Sequence, residues 1–224
     1  MDIKLRELDA VVFDMDGVIF DSERLGLRSW QAVADRHGLG DISETAKKCI
    51  GRNTADTMRI FDEAYGDRVN VEELYEEAKV LMRDIIAKEG LPLKEGARDL
   101  LGFLREQGIR VGLASSTKQA VVKDELTAAG LIGYFSVIVG GDMIERSKPE
   151  PDIYLLACER LGAEPGKCVC IEDSFNGVIS AHRAGLGVIM VPDLLEPDDE
   201  ILALVDVYKK SLSDVLDYLK GDAL

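Results

Sequence analysis

The 224-residue chain carries near its start the stretch Val11-Val12-Phe13-Asp14-Met15-Asp16-Gly17-Val18, an apolar run that ends in two carboxylates. The apolar part is typical of a buried strand, and Asp14 and Asp16 point to the same side if the chain is still extended there. Two like charges about 4 Å apart repel by roughly 4 kcal/mol at an effective dielectric constant near 20. A folded chain keeps such a pair mainly when a cation or a shared proton offsets the repulsion. The stretch therefore predicts a buried strand with a metal-dependent site at its end.

Strands and helices alternate through the rest of the chain. Apolar runs predict strands at residues 10–13, 111–114, 137–139, 168–171 and 187–191. Amphipathic patterns, ended by glycines, predict helices at residues 96–107, 119–129, 152–161 and 177–184. Such alternation is typical of a parallel sheet covered by helices on both faces. We therefore expect an α/β fold with a three-layer, Rossmann-like parallel sheet.

One section interrupts this alternation. Between residues 22 and 91 the sequence contains helical patterns, at residues 24–37, 43–50, 54–65 and 71–88, and no convincing strand. Because this section follows the first strand directly, we expect an all-helical cap domain inserted into the sheet domain. The predicted boundaries are 1–20 and 92–224 for the catalytic core and 21–91 for the cap.

Composition narrows the range of partners. The chain has 42 acidic against 27 basic residues, a formal net charge of -15, which disfavours nucleic acid and anionic membranes. No apolar stretch reaches the ~18 residues of a membrane span, and the start of the chain lacks a signal-peptide core. Its four cysteines show no zinc or redox spacing, so reduced thiols are expected. We expect a cytoplasmic protein, by default a monomer.

Polar residues follow four of the predicted strands. In open α/β sheets, ligands bind beyond the carboxyl ends of the strands, so these residues are expected to share one crevice. Taken alone, each group has a structural interpretation, such as a helix cap, a turn or a solvated lysine. Together they predict a site for phosphoryl transfer. The groups are Asp14 with Asp16, Ser115 with Ser116, Lys148, and Glu172 with Asp173.

The residue types suit this chemistry. One carboxylate can attack phosphorus and form an aspartyl-phosphate, while a second gives a proton to the leaving oxygen. Mg²⁺ prefers oxygen ligands, which Asp14, the Asp16 carbonyl and Asp173 could supply, with Glu172 close by. The oxygens of the phosphoryl group need donors, such as the Ser115 hydroxyl, the N–H groups of the following helix and the Lys148 ammonium.

In order along the chain, these motifs resemble the four motifs of the haloacid dehalogenase superfamily. The resemblance covers nearly the whole chain, including the helical cap. It implies that Asp14 is the nucleophile and a magnesium ligand, and that Asp16 is the general acid/base. It also implies phosphoryl binding by Ser115, Ser116 and Lys148. The implied magnesium set is Asp14, Asp16, Asp173 and Glu172.

Within the superfamily, the chain is most similar to β-phosphoglucomutase and its sugar-phosphate phosphatase relatives. The mutases carry a cap histidine where this chain has Gly26, and a cap arginine where ungapped matching gives Thr54. Arg52 and Asn53, in the same loop, are the candidate cap residues for substrate contact. Without the histidine, water should reach the aspartyl-phosphate more easily. A phosphatase of small phosphorylated metabolites is therefore expected, with a phosphosugar mutase or a non-catalytic binding protein as alternatives.

Overall fold

Six parallel strands form one sheet in the computed structural model, which describes residues 3–50, 52 and 54–221. In chain order the strands are β1 (Ala10–Phe13), β2 (Arg110–Ser115), β3 (Val137–Gly140), β4 (Cys168–Glu172), β5 (Gly187–Met190) and β6 (Val207–Tyr208). Their order across the sheet is β3-β2-β1-β4-β5-β6, and every pair is parallel. The strand order reverses direction between β1 and β4, where α/β sheets bind their ligands.

Strand β1 lies in the middle of the sheet and is buried along its whole length. Val12 pairs with Gly112 on one side and with Cys170 on the other. Side chains alternate between the two faces of a strand, so a fully buried strand must be covered on both. The continuous apolar run that predicted a central strand is confirmed.

Helices cover both faces of the sheet. The helices of this unit are α5 (Ala97–Glu106), α6 (Gln119–Ala128), α7 (Asp152–Leu161), α8 (Phe175–Ala184), α9 (Asp199–Leu202) and α10 (Leu212–Gly221). Helices α7 and α8 pack beside each other and share a buried cluster with Val12 of β1. Helix α5 packs on β2 and on α10. The predicted three-layer fold is confirmed.

Helix α9 and strand β6 are short elements that were not predicted from the sequence. Helix α9 has one turn, and β6 contributes two residues at the edge of the sheet. The edge is held by Asp206, whose carboxylate accepts from the Val188 N–H at 2.9 Å and whose own N–H donates to the Val188 carbonyl at 3.0 Å. Elements this short carry too few residues for a periodic pattern.

The chain divides into two units, Met1–Phe20 with Leu93–Leu224, and Asp21–Pro92. The second unit begins at residue 21, as the predicted cap does, and ends at residue 92, whereas the predicted cap ends at 91. The chain re-enters the sheet unit at Leu93, which forms an antiparallel bridge with Phe20 of the same unit. Nothing in the described part of residues 21–92 is a strand.

The helical unit has its own hydrophobic core. Its helices are α1 (Ser22–Arg36), α2 (Ser43–Lys47), α3 (Thr54–Tyr65) and α4 (Val71–Glu89). Val33, Phe61 and Leu74 are buried together, and the Trp30 ring stacks on Phe61 with 4.1 Å between centroids. Asn70 caps α4 by accepting from the backbone N–H groups of its first turn. Across the described residues, no helix combines the length and the apolar character needed to cross a bilayer.

Candidate active site

Three central strands deliver polar side chains to the carboxyl edge of the sheet. Asp14 follows β1 directly, and its N–H donates to the carbonyl of Ile171 at 3.0 Å. Ser115 is the last residue of β2 and Glu172 the last of β4, and both are fully buried. Because β2 and β4 flank β1 in register, the three residues lie side by side at the sheet edge.

Lys148 reaches this edge from the loop before α7. Its ammonium lies 2.6 Å from Asp14 Oδ1, 2.6 Å from Glu172 Oε1 and 3.2 Å from the carbonyl of Ala114. The lysine side chain is 7% exposed, so both ion pairs are screened little by solvent. An ammonium has three N–H groups, and these contacts engage all of them. Lys148, the predicted site lysine, therefore links the carboxyl ends of β1 and β4.

Both carboxylate oxygens of Glu172 accept hydrogen bonds. Its Oε1 accepts from the Lys148 ammonium and from the Tyr154 hydroxyl at 2.7 Å. Its Oε2 accepts from the backbone N–H groups of Asp173 and Ser174 and from the Ser174 hydroxyl. A Cβ on Gly177 would lie 1.8 Å from Glu172 Oε1, so a glycine is needed in the first turn of α8, where the helix passes this carboxylate.

Asp173 lies close to the turn after β1. Gly17 has a φ of +79°, and a Cβ there would lie 2.2 Å from Asp173 Oδ2. A glycine is required for both reasons, since other residues rarely adopt this φ and a side chain would displace the carboxylate. The glycine after the paired aspartates thus makes room for a carboxylate that is 156 positions later in the chain.

Asp16, half-buried, lies on the same turn as Gly17. The Thr117 hydroxyl donates to Asp16 Oδ2 at 3.2 Å, and the Gly17 N–H donates to the Phe20 carbonyl at 2.8 Å. A backbone hydrogen bond therefore closes the turn, and Thr117, in the loop after β2, orients the Asp16 carboxylate.

The loop after β2 holds the predicted phosphate-binding serines. The buried Ser115 hydroxyl accepts from the Thr117 N–H at 3.0 Å, while Ser116 is exposed. The chain after β3 presses against this loop, because a Cβ on Gly141 would lie 2.2 Å from the Ser116 carbonyl. The Gly141 N–H donates to the Thr117 carbonyl at 3.0 Å. These contacts fix the start of α6, whose N–H groups favour anions.

Burial dominates the electrostatics of the cluster. It raises the pKa of Asp14 to about 8, with Glu172 and Asp16 adding to the effect and Lys148 opposing it. Burial alone would lower the pKa of the Lys148 ammonium, but Asp14 and Glu172 outweigh it and raise that pKa above its usual range. The pKa of Tyr154 is also raised, by burial and then by the Glu172 charge.

The donor set suits a hard divalent cation. Asp14, Glu172 and Asp173 are buried, and each offers an oxygen within 4.8 Å of the others. With all three ionised against the Lys148 ammonium, the cluster has an excess of two negative charges. Carboxylate oxygens are the ligands that Mg²⁺ prefers, and a charge of +2 would balance the cluster.

The two cap residues predicted to contact substrate belong to the helical unit. Arg52 donates from Nε to the Lys48 carbonyl at 2.8 Å and lines a cavity of about 470 Å³. The cavity is also lined by Thr45, Lys48, Arg59, Ile60, Glu63 and Ala64. Asn53 lies outside the described residues.

Two residues of the site were missed by the sequence analysis. Thr117 follows the two predicted phosphate-binding serines and was not selected, although its hydroxyl donates to Asp16. Tyr154 was read only as part of a helix. The sequence feature that could have identified Tyr154 is a hydroxyl on the apolar stripe of α7. A buried tyrosine hydroxyl usually needs a hydrogen-bond partner. Nothing in the local pattern indicates which partner it finds.

The chain is similar to known proteins along most of its length. A model of the haloacid dehalogenase-like hydrolases matches residues 11–191, which include every core residue of the candidate site. The chain is 33% identical to the phosphorylated carbohydrates phosphatase of Thermotoga maritima over 183 residues, which cover 80% of this chain and 82% of that protein. It is 32% identical to hexitol phosphatase B of Escherichia coli strain K12 over 220 residues, or 94% and 95% of the two chains.

A solved structure is similar over nearly the whole chain. It is a haloacid dehalogenase family hydrolase from Deinococcus radiodurans with bound phosphate and sodium. The TM-score is 0.81 and the identity 27%, with 97% of each chain covered. The family match over most of the chain, with relatives above 30% identity along nearly their full length, leads to one conclusion. This chain belongs to the haloacid dehalogenase-like hydrolase family.

Proposed function

We propose that the protein is a magnesium-dependent phosphatase that hydrolyses small phosphorylated metabolites, sugar phosphates in particular, through an aspartyl-phosphate. The observation that carries this proposal is the buried contact between Lys148 and Asp14. Asp14 is the candidate nucleophile, and the Lys148 ammonium would hold both its carboxylate and a phosphoryl group in position for attack.

Asp14 is the proposed nucleophile. An oxygen of its carboxylate forms a bond to phosphorus while the bond from phosphorus to the ester oxygen breaks. The carboxylate must be ionised for this step, and burial raises its pKa to about 8. Lys148 favours the ionised form, and a bound cation would favour it further.

Asp16 is the proposed general acid and base. In the first step it gives its proton to the leaving ester oxygen. In the second it takes a proton from the water that attacks phosphorus, while the bond from phosphorus to the Asp14 oxygen breaks and inorganic phosphate leaves. Its contact with the Thr117 hydroxyl supports this role, because the hydrogen bond orients one oxygen of the carboxylate.

Asp14, Asp173 and the Asp16 carbonyl would hold Mg²⁺, which when bound would neutralise charge on the transferring phosphoryl group. The remaining carboxylate of the predicted set, Glu172, has both oxygens engaged by protein donors. Ser115, Ser116 and the N–H groups at the start of α6 would bind the phosphoryl oxygens.

The substrate class rests on the relatives. Two of them are named as phosphatases of phosphorylated carbohydrates and of hexitol phosphates. The core binds only the phosphoryl group and the metal, so the helical unit is proposed to select the rest of the substrate, with Arg52 and Asn53 as candidate contacts. A monomer in a reducing cytoplasm stays a prediction.

A phosphosugar mutase is the second candidate. Gly26 lies in α1, and a Cβ there would meet no atom within 4 Å. The position has room for a side chain but offers no imidazole to regulate Asp16. We therefore favour transfer of the phosphoryl group to water. Its retention on the enzyme until a second sugar accepts it is the less favoured outcome.

The test is a panel of phosphate monoesters incubated with the protein and Mg²⁺, with phosphate release as the readout. We expect release from at least one sugar phosphate, and none with the variant Asp14→Asn. Isomerisation of β-glucose 1-phosphate faster than phosphate release would favour the mutase. Absence of release from every ester would overturn the proposal.

A further inference from the structure

We propose that Tyr154 is a positioning residue that fixes Glu172 and, through it, Lys148, so that Glu172 serves the lysine and not the metal. This inference rests on the proposed function, since it concerns how Lys148 is presented to the phosphoryl group. It assigns a role to a residue that the sequence analysis did not select, and it removes one residue from the predicted magnesium set.

Tyr154 is built into the floor of the site. It lies in the first turn of α7, is completely buried, and belongs to the same hydrophobic cluster as Val12 of β1. Its hydroxyl donates to Glu172 Oε1 at 2.7 Å, and the Lys148 ammonium lies 5.0 Å from its ring centroid. One side chain thus contacts both the anion and the cation of a buried pair.

The hydrogen bonds of Glu172 leave it little capacity for a metal. An ionised carboxylate has about four lone-pair sites, and five donors already point to this one. The backbone at Gly177 closes a further side, since a Cβ there would lie within 2.2 Å of both carboxylate oxygens. Direct coordination would require the loss of a buried hydrogen bond.

The tyrosine hydroxyl also affects the position of the lysine. Asp14 and Glu172 both attract the same ammonium at 2.6 Å. The Tyr154 hydroxyl donates to the Glu172 oxygen that binds Lys148, and so reduces the negative charge which that oxygen presents. Without the hydroxyl, Glu172 would hold Lys148 more strongly and draw it away from Asp14. A phosphoryl group on Asp14 would then be less well stabilised.

The alternative is that the hydroxyl is only a satisfied polar group in the core. Removing it would then reduce stability and leave turnover unchanged. Tyr218 provides a matched control in the same unit. Its hydroxyl donates to the Ile3 carbonyl at 3.2 Å, and Lys209 lies 4.8 Å from its ring centroid.

The experiment compares Tyr154→Phe with Tyr218→Phe, both as full-length protein. For Tyr154→Phe we expect kcat to fall about tenfold at saturating Mg²⁺, with KM and the Mg²⁺ Kd from calorimetry within twofold of wild type. Tyr218→Phe should match wild type in all three quantities. A folded Tyr154→Phe with kcat within twofold of wild type would overturn the positioning role.

Magnesium affinity separates the two assignments of Glu172. Loss of a group that orients a metal ligand typically weakens metal binding 10- to 100-fold. A Kd at least tenfold weaker in Tyr154→Phe, with kcat restored by more Mg²⁺, would make Glu172 a ligand and contradict the proposal. If Tyr154→Phe does not fold, Glu172→Gln tests the same assignment of Glu172. We expect this variant to bind Mg²⁺ less than tenfold more weakly than wild type.

A readout without substrate keeps this inference separate from the proposed function. Fluoroberyllate with Mg²⁺ mimics a phosphoryl group on a carboxylate and can be measured by calorimetry even if no ester is hydrolysed. We expect its binding to be about fivefold weaker in Tyr154→Phe and unchanged in Tyr218→Phe. Equal binding by all three proteins would refute the inference, whereas wild-type binding without hydrolysis of any ester would count only against the proposed function.

Discussion

The Lys148 ammonium lies 2.6 Å from Asp14 Oδ1, although the two residues are 134 positions apart in the chain. Lys148 also contacts Glu172 at the end of the neighbouring strand, so one cation joins β1 to β4 at the edge of the sheet. A buried pair of this kind is costly to break, because each remaining charge loses its partner in a poorly solvated place. The contact therefore links the stability of the fold to the chemistry of the site.

Removing the lysine charge should reduce both turnover and stability. For Lys148→Met we expect turnover of a phosphate ester to fall by about 10²–10³, the usual effect of losing one charge-stabilising donor. The free energy of unfolding should fall by about 3 kcal/mol, measured by urea denaturation at pH 8. Lys167→Met, which breaks an exposed 3.6 Å pair with Glu164, should cost less than about 1 kcal/mol. Turnover within tenfold of wild type would contradict the role of Lys148.

The proposed general acid should matter more for poor leaving groups. Asp16→Asn should lower kcat/KM for a sugar phosphate by about 10²–10⁴, because the sugar alkoxide leaves only when protonated. Nitrophenyl phosphate needs no such proton, and its kcat/KM should fall by less than about tenfold. Stopped-flow measurement should also show a burst of nitrophenolate, since Asp16 no longer activates water. Equal losses for both esters would exclude Asp16 as the acid.

A glycine at position 17 should be required both for the positive φ there and for the position of the nearby Asp173 carboxylate. Gly17→Ala places a Cβ 2.2 Å from Asp173 Oδ2, at a φ of +79°. Gly108→Ala is the matched control, with a φ of +72° and no atom within 4 Å of the added Cβ. Both variants should lose about 1 kcal/mol of stability from the strained φ. Only Gly17→Ala should also weaken Mg²⁺ binding, and a similar Mg²⁺ Kd in both would refute this prediction.

Protons and Mg²⁺ should compete for Asp14. Burial raises the pKa of this carboxyl to about 8, so below that pH a cation has to displace a proton. The apparent Mg²⁺ affinity, measured by calorimetry, should therefore fall as pH is lowered from 9 to 6, by up to about tenfold per unit below pH 8. Asp14→Asn should bind Mg²⁺ more weakly and without this pH dependence.

The same pKa shift affects stability in the absence of metal. The folded state holds the Asp14 proton up to about pH 8, while the unfolded chain releases it near the ordinary aspartate pKa of 3.8. This contribution is fully present below about pH 4 and is lost as pH rises through 8. Chemical denaturation with a chelator present should show a smaller loss of stability over this range in Asp14→Asn than in wild type. A parallel pH profile in both proteins would contradict the shift.

Much of the fold was predictable because its signals are local. The run before Asp14 is apolar at every position, as a strand buried on both faces requires, and β1 begins and ends where predicted. The inserted helices were recognised from their 3.6-residue periodicity. Strand β6, with two residues, and helix α9, with four, span only about one period each, so no repeating pattern predicted them.

The residues at the strand ends of the candidate site were predictable, but Thr117, Tyr154 and the contacts between the residues were not. Asp14, Ser115, Glu172 and Asp173 follow or end strands, so a parallel sheet has to bring them to one edge. Lys148 was selected from its motif, but its simultaneous contact with Asp14 and Glu172 depends on how the loop before α7 folds back.

The sequence by itself determined the sheet, the inserted helices and the group of acids, serines and lysine at the strand ends, because periodicity and strand ends are properties of neighbouring residues. Only the tertiary structure decided that Thr117 orients Asp16 and that Tyr154 bonds Glu172. These pairs are 101 and 18 positions apart, and neither is specified until strands and helices pack against each other. The physical reason is that a buried polar group must find a partner, but packing selects which one.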